Sequence, residues 1–202
     1  MNSAMPSQVF TIGHSNHPVG LFLDLLKAHG IEAIADTRSY PVSKFAPQYD
    51  AEALRQCLGE NGIEYIFLGK ELGGRPDGAR YYDADGHVLY ARVAESDFFR
   101  RGLERLQEKM WQFRIAILCS EEDPSVCHRR LLITRVLRER GAAVIHIRAD
   151  GTAQMEEDML ASEAAEAARN PQLSLFEHSP DPEWKSILSV LPRRPQNSSS
   201  AS

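Results

Sequence analysis

Short apolar runs alternate with longer amphipathic stretches from residue 8 to residue 148. The run "QVFTIG" (8–13) predicts a strand, and "PVGLFLDLLKAHG" (18–30) predicts a helix with proline in its first turn and glycine at its end. "IEAIADTR" (31–38) predicts a second strand, "DAEALRQCLGENG" (50–62) a second helix with Asp50 as its N-cap, and "IEYIFLG" (63–69) a third strand. Residues 70–90 are rich in glycine and aspartate with little periodicity, which predicts a long loop or a small excursion from the main layers. Beyond it, 96–111 reads as a helix starting at Ser96 or Asp97, 113–120 as a strand, 125–141 as a helix and 142–148 as a last strand. Strands separated by helices in this way predict an α/β fold: a mainly parallel sheet with helices on both faces, Rossmann-like or a related three-layer sandwich.

The composition changes after residue 151. Residues 153–170 predict a short acidic helix, and the stretch beyond Asn170 is rich in proline and serine and is expected to be flexible. The chain therefore divides into an α/β domain at 8–151 and an extension at 152–202. Charge obeys the same division: residues 1–150 hold 19 Lys and Arg against 20 Asp and Glu, while 151–202 hold 4 against 8. Most of the net charge of −5 thus sits in the extension, so the overall sign does not exclude a nucleic-acid partner for the domain. No apolar run is long enough to span a bilayer and the N-terminus lacks the features of a signal peptide, so the expected location is the cytoplasm. There a reducing environment keeps Cys57, Cys119 and Cys127 as thiols.

In open parallel sheets the strand-to-helix loops meet outside the carboxyl ends of the strands, where ligands bind. Four such segments are strongly polar here: "GHSNH" (13–17), "DTRSYPVSKF" (36–45), "GKELGGR" (69–75) and "CSEEDPSVCHRR" (119–130). They nominate Asp36, Glu121, Cys127, His128 and His14 as catalytic candidates, with Ser15, Arg38, Lys70, Gly73, Gly74 and Arg129 as substrate or phosphate contacts. Each also has an ordinary reading as a cap or loop residue.

Three chemistries compete. Cys127 at a helix start beside His128, Arg129 and Arg130 favours a thiolate, whereas Glu121, Glu122 and Asp123 oppose it. The C-x5-R loop of cysteine phosphatases fails, because the arginine position counted from Cys119 is Ser125. For a metal, Cys119, Cys127, His128, His14 and His17 are conceivable ligands. They lack the close paired spacing of C-x2-C, so no metal is assigned and no cofactor is identified. Finally, Asp36 or Glu121 as base with Arg38, Lys70 and Arg129 holding a phosphate fits a phosphorylated substrate; the same charges would equally well tie loops together. Arg100, Arg101, Arg105, Arg135 and Arg138 are further possible phosphate contacts, or a solvated helix face.

The segments "TIGHSN" (11–16), "DTRSYPVSKF" (36–45), "YIFLGKELGG" (65–74), "LCSEEDPSVCHRR" (118–130) and "VIHIRADG" (144–151) together resemble the domain-of-unknown-function family numbered 488 over about residues 9–151. Thr37 departs from the aliphatic residue that the resemblance leads one to expect. The resemblance supplies a fold and no reaction. A second resemblance lies in the extension: "QLSLF", Gln172, Leu173, Ser174, Leu175 and Phe176, is similar to the pentapeptide by which bacterial replication and repair proteins dock on the DNA polymerase sliding clamp. It implies polar contacts for Gln172 and apolar subsites for Leu173, Leu175 and Phe176; a fold-back onto the domain is the other reading. The combined expectation is a DNA-processing or repair-associated hydrolase acting at a phosphate or glycosidic bond. Its rivals are a small-molecule enzyme for a nucleotide or phosphorylated metabolite, and a binding module without catalysis.

Overall fold

The computed structural model describes residues 8–169 and 184–190. Its centre is a six-stranded sheet made of β1 (Gln8–Gly13), β2 (Ala33–Asp36), β3 (Glu64–Phe67), β4 (Ile115–Cys119), β5 (Ala143–Ile147) and β6 (Ala153–Met155), in the order β3-β2-β4-β1-β5-β6. The first five strands run parallel; β6 is antiparallel to β5. β4 enters between β2 and β1, so the loops that leave these three strands emerge side by side.

Helices cover both faces, as the alternation predicts. On one face α1 (Val19–Ala28) and α2 (Ala51–Glu60) pack Phe22, Leu26, Leu54 and Leu58 against Phe10, Ile12, Ile34 and Leu118. On the other, α3 (Gly69–Leu72), α4 (Tyr90–Ala94), α5 (Asp97–Met110) and α6 (Arg135–Glu139) pack Leu72, Val93, Phe99, Leu103 and Leu137 against Val9, Ala35, Ile117 and Val144. Each central strand is buried on both sides, which is why β4 reads as an unbroken apolar run.

Local signals hold unevenly. Ser96 caps α5, its Oγ accepting from Phe99 N. Asp50 stands at the cap position of α2, but its side chain does not bond the helix: Oδ1 accepts from Ser43 N at 2.7 Å, closing the loop before it. The expected helix at 125–141 is interrupted. A 3₁₀ turn (Pro124–Val126) is followed by extended Cys127, then a π-helical stretch (Arg129–Thr134) leads into α6. Residues 153–155, expected to begin the acidic helix, form β6 instead, and α7 comes next at Glu156–Arg169. Glu156 is buried and ties α7 to the sheet. It accepts from His146 Nε2 at 2.7 Å and from Arg130 Nε at 2.9 Å, while Arg130 also pairs with Glu163. Residues 172–176 lie outside the described residues. Among the described residues, no helix is long and apolar enough to cross a membrane.

Candidate functional site

The three neighbouring strands β1, β4 and β2 deliver His14, Cys119 to Glu121, and Asp36 to Arg38 to one end of the sheet. Backbone bonds join the loops: His14 N donates to Cys119 O (3.1 Å), Ser15 N to Ser120 O (2.9 Å) and Thr37 N to Leu118 O (3.1 Å). Ser15 turns the first loop with a φ of 46°, a left-handed conformation uncommon for a residue with a side chain.

Asp36 is fully buried and saturated. Its oxygens accept from Arg38 Nε (2.9 Å), Arg38 Nη2 (2.6 Å), Arg38 N (3.0 Å) and the Tyr65 hydroxyl (2.8 Å). Burial, and then the Asp36 charge, push the Tyr65 phenol up, so it stays protonated and donating. Asp36 thus orients Arg38 and presents no free oxygen to a substrate.

His14 is occupied in the same way. Nδ1 faces Ser15 O at 2.6 Å, Nε2 receives Arg38 Nη1 at 3.0 Å, and the ring stacks on Tyr49 at 4.2 Å. Both contacts suit a neutral ring. Burial first, and the Arg38 charge second, hold its pKa down at about 4 against an ordinary 6.5. Because the folded value is the lower one, the unfolded chain takes the proton first as the pH falls. This contribution to stability is complete above pH 6.5 and is lost toward pH 4. NMR titration of the His14 ring is expected to show a midpoint near 4; a midpoint near 6.5 would contradict this packing.

A cluster of two thiols, a carboxylate and an imidazole lies one step further out. Cys119 Sγ stands 2.7 Å from Glu121 Oε2 and 3.5 Å from His128 Nδ1; Cys127 Sγ stands 3.3 Å and 3.9 Å from the same two atoms. These four donor atoms all lie within 4.8 Å of one another. The cysteines are buried, His128 is half-buried and Glu121 faces solvent. His128 Nε2 donates to Thr37 O at 3.2 Å, leaving Nδ1 to face the sulfurs. The anchor is the Thr37 backbone carbonyl, which an aliphatic residue would supply equally; the Thr37 hydroxyl donates to Leu118 O at 2.9 Å.

The two thiols differ. Burial pushes Cys119 well up, reinforced by Cys127 and Glu121. For Cys127 burial also acts upward, but hydrogen bonds with Cys119 and His128 and the Arg129 charge outweigh it and bring the thiol down to about 5. With Cys127 ionised, Cys119 is the thiol that donates to Glu121, across the shorter distance. Burial opposes the charged forms of Glu121 and His128 as well. The thiol hydrogen bonds overcome it for Glu121, whose pKa is lowered, and the bond to Cys127 does so for His128, whose pKa is raised.

This cluster floors a cavity of about 400 Å³. Arg38, Arg75, Tyr40 and Tyr90 line its walls, and Ser186, Leu188 and Val190 close one side. A second cavity of about 340 Å³, lined by His14 and Ser15, shares Arg38, Tyr40 and Ser120 with it. The loop between β2 and α2 overhangs both, with Tyr40 69% and Phe45 95% exposed.

Residues 19–136, more than half of the chain, match the protein family described as "Domain of unknown function DUF488". The chain belongs to this family. The match takes in the DUF488 segments around Asp36 and around Cys119 to Arg130, and it stops short of His14 on one side and residues 144–151 on the other. No curated protein and no solved structure matches the chain.

The structure gathers most, but not all, of the residues nominated from sequence. Arg38, Gly74, Glu121, Cys127 and His128 line the main cavity, and His14 and Ser15 the second one. Gly74 lies so close to His128 that a Cβ there would come within 2.8 Å of the ring. Gly73 is buried against Ser39, and Lys70 is exposed on α3 and lines neither cavity. Arg129 is 1% exposed and points inward: Nη1 donates to Glu121 O, Nη2 to Glu122 O at 2.6 Å, and Nε to Thr11 Oγ1 at 3.4 Å. Arg100, Arg105 and Arg135 pair with Asp97, Glu71 and Glu139 away from the cavity. Sequence reasoning overlooked Arg75, Tyr40, Tyr90 and residues 184–190. Tyr40 and Arg75 sit inside quoted polar segments and were legible there. Tyr90 and Ser186 carry no sequence signal, because they enter through a strap in which Ser186 bonds the backbone of Val88.

Proposed function

We propose that this DUF488 protein is a hydrolase acting at a phosphate or glycosidic bond of a nucleotide or nucleic acid, with the Cys119, Glu121, Cys127 and His128 cluster as its reactive floor. One observation carries the reading. A solvent-facing carboxylate stands beside two buried thiols and an imidazole at the bottom of a cavity whose walls hold the exposed Arg75 guanidinium and the exposed Tyr40 phenol. Guanidinium groups match phosphate oxygens, and exposed aromatic rings match base faces. A carboxylate with room for water is the group that hydrolysis needs as base. The cavity of about 400 Å³ holds a single nucleotide-sized unit, so a free nucleotide fits as well as one unit of a strand. The "QLSLF" peptide at 172–176 supports recruitment to DNA by the sliding clamp, which raises the local concentration of a domain that is not strongly basic. The cytoplasm is the location that suits such a role.

The test is a substrate panel on the full chain: nucleoside mono-, di- and triphosphates, and single-stranded and duplex oligonucleotides with intact, abasic and damaged sites. Release of phosphate, base or strand is read. Turnover is expected on at least one class, falling by about 100-fold or more in Glu121→Gln, with the thermal midpoint little changed because this side chain faces solvent. Silence across the panel, or full activity in Glu121→Gln, discards the reading. A peptide spanning 168–180 titrated calorimetrically against the clamp tests recruitment alone; heat-silent titration at about 100 μM removes that part.

A further inference from the structure

We propose that Cys119 Sγ, Cys127 Sγ, His128 Nδ1 and Glu121 Oε2 form a zinc site, in which Glu121 holds the exchangeable fourth position. This deepens the reading above, since it assigns a metal to the same reactive floor.

Zinc binds sulfur at about 2.3 Å and nitrogen or oxygen at about 2.0–2.2 Å, so the edges of its coordination tetrahedron measure about 3.3–3.8 Å. The donor atoms here are separated by 3.5 Å (Cys119 to His128), 3.9 Å (Cys127 to His128) and 3.3 Å (Cys127 to Glu121). Three of the six edges are thus within about 0.1 Å of that range, and all four donor atoms lie within 4.8 Å of one another. The fourth separation, 2.7 Å between Cys119 and Glu121, is too short, and Glu121 is the one donor that faces solvent and is free to withdraw.

Two thiolates with an imidazole select zinc over magnesium or calcium, which take oxygen ligands. A ligating histidine characteristically donates its other ring nitrogen to a carbonyl or carboxylate; His128 Nε2 does so to Thr37 O. Gly74, packed against the same ring, leaves it no room to turn away.

Rigid elements support the donor atoms. Cys119 ends the central strand β4, Cys127 and His128 precede a π-helical stretch, and Arg129 clamps the carbonyls of the intervening loop. Such stretches are frequent at functional sites. The spacing is C-x-E-x5-C-H, which has no close cysteine pair and therefore does not announce a zinc site in the sequence. Binding releases to solvent the Cys119 thiol proton and the proton that Cys127 and His128 share, and leaves three anchored ligands plus one replaceable carboxylate, the pattern of a zinc centre open to water or a substrate oxygen.

The experiment is metal analysis of the full chain purified without chelator under reducing conditions, before and after addition of zinc chloride. About one zinc per chain is expected, with zinc X-ray absorption showing two sulfurs at about 2.3 Å and lighter atoms at about 2.0–2.2 Å. The cobalt-loaded chain is expected to show thiolate-to-cobalt charge transfer. Cys119→Ser and Cys127→Ser should each lose most of the metal while Cys57→Ser keeps it, with circular dichroism reporting whether each variant folds. The absorption spectrum of the unmodified chain decides the matter even if a variant does not fold. The proposal is overturned by a chain that takes up no zinc, by a zinc shell without sulfur, by metal content unchanged in both serine variants, or by a metal-free Cys119–Cys127 disulfide. Turnover in metal-free protein that ignores chelators overturns the zinc site and leaves the hydrolase standing. Stoichiometric sulfur-bound zinc without turnover does the reverse.

Discussion

Arg129→Ala is expected to destabilise the fold by about 3–5 kcal/mol, because it leaves two buried carbonyls unsatisfied at about 1–3 kcal/mol each. For a chain of 202 residues that corresponds to a fall in thermal midpoint of about 10 °C. The guanidinium is fully buried and its donors are spent on Glu121 O, Glu122 O and Thr11 Oγ1. Thr11 in turn meets His146 Nδ1 at 2.8 Å, and His146 meets Glu156, so one polar chain runs from the site loop through β1 and β5 to α7. Truncation strands two carbonyls that water cannot easily reach and frees the loop carrying Glu121. Arg129→Lys should recover little, because one ammonium cannot span two carbonyls as a planar fork does. Urea unfolding of the three proteins measures this. If Arg129→Lys matched the unmodified chain in stability and lost only ligand affinity, Arg129 would be a phosphate contact after all.

The second large effect is expected at Gly13, the last residue of β1. A Cβ there would lie 1.8 Å from Glu121 O and 2.6 Å from its carbonyl carbon, both backbone atoms. Neither can yield unless the whole loop moves. Gly13→Ala is therefore expected to cost about 3 kcal/mol, at the upper end of overpacking, and to displace Glu121 from the thiols. Gly20 in α1 is the control, since nothing lies within 4 Å of its Cβ position. There alanine should stabilise by about 0.5–1 kcal/mol through the backbone entropy of the unfolded chain. Calorimetric melting, together with counting of reagent-accessible thiols, separates the two outcomes. A Gly13→Ala protein that melts normally and shields its thiols would refute the close approach.

The two effects share a cause. The loop of residues 120–123 has no regular structure of its own and is held from both ends, by Arg129 behind it and by the bare backbone of β1 beside it. The candidate zinc ligands on either side of it depend on that arrangement.

Much was legible before any coordinates. The alternation of apolar and amphipathic segments determined that strands and helices would interleave, because a strand buried on both faces needs a continuous apolar run and its helices need one apolar stripe each. Polar residues crowding the ends of those runs mark the end of the sheet where the two cavities lie, and the stretch 119–130 holds all four groups of the cluster. What the chain order could not convey was adjacency. β4 inserts between β1 and β2, and apolar residues fill that place equally well in any neighbouring position, so the partners of Cys119 and the link from His128 to Thr37 emerged only with the tertiary structure. Residue type also leaves open which way a charged group turns. Asp36 and Arg38 look like a base and a phosphate contact but saturate one another, and Arg129 looks like an anion site but faces carbonyls, because burial makes satisfaction by a neighbour worth more than exposure to a ligand.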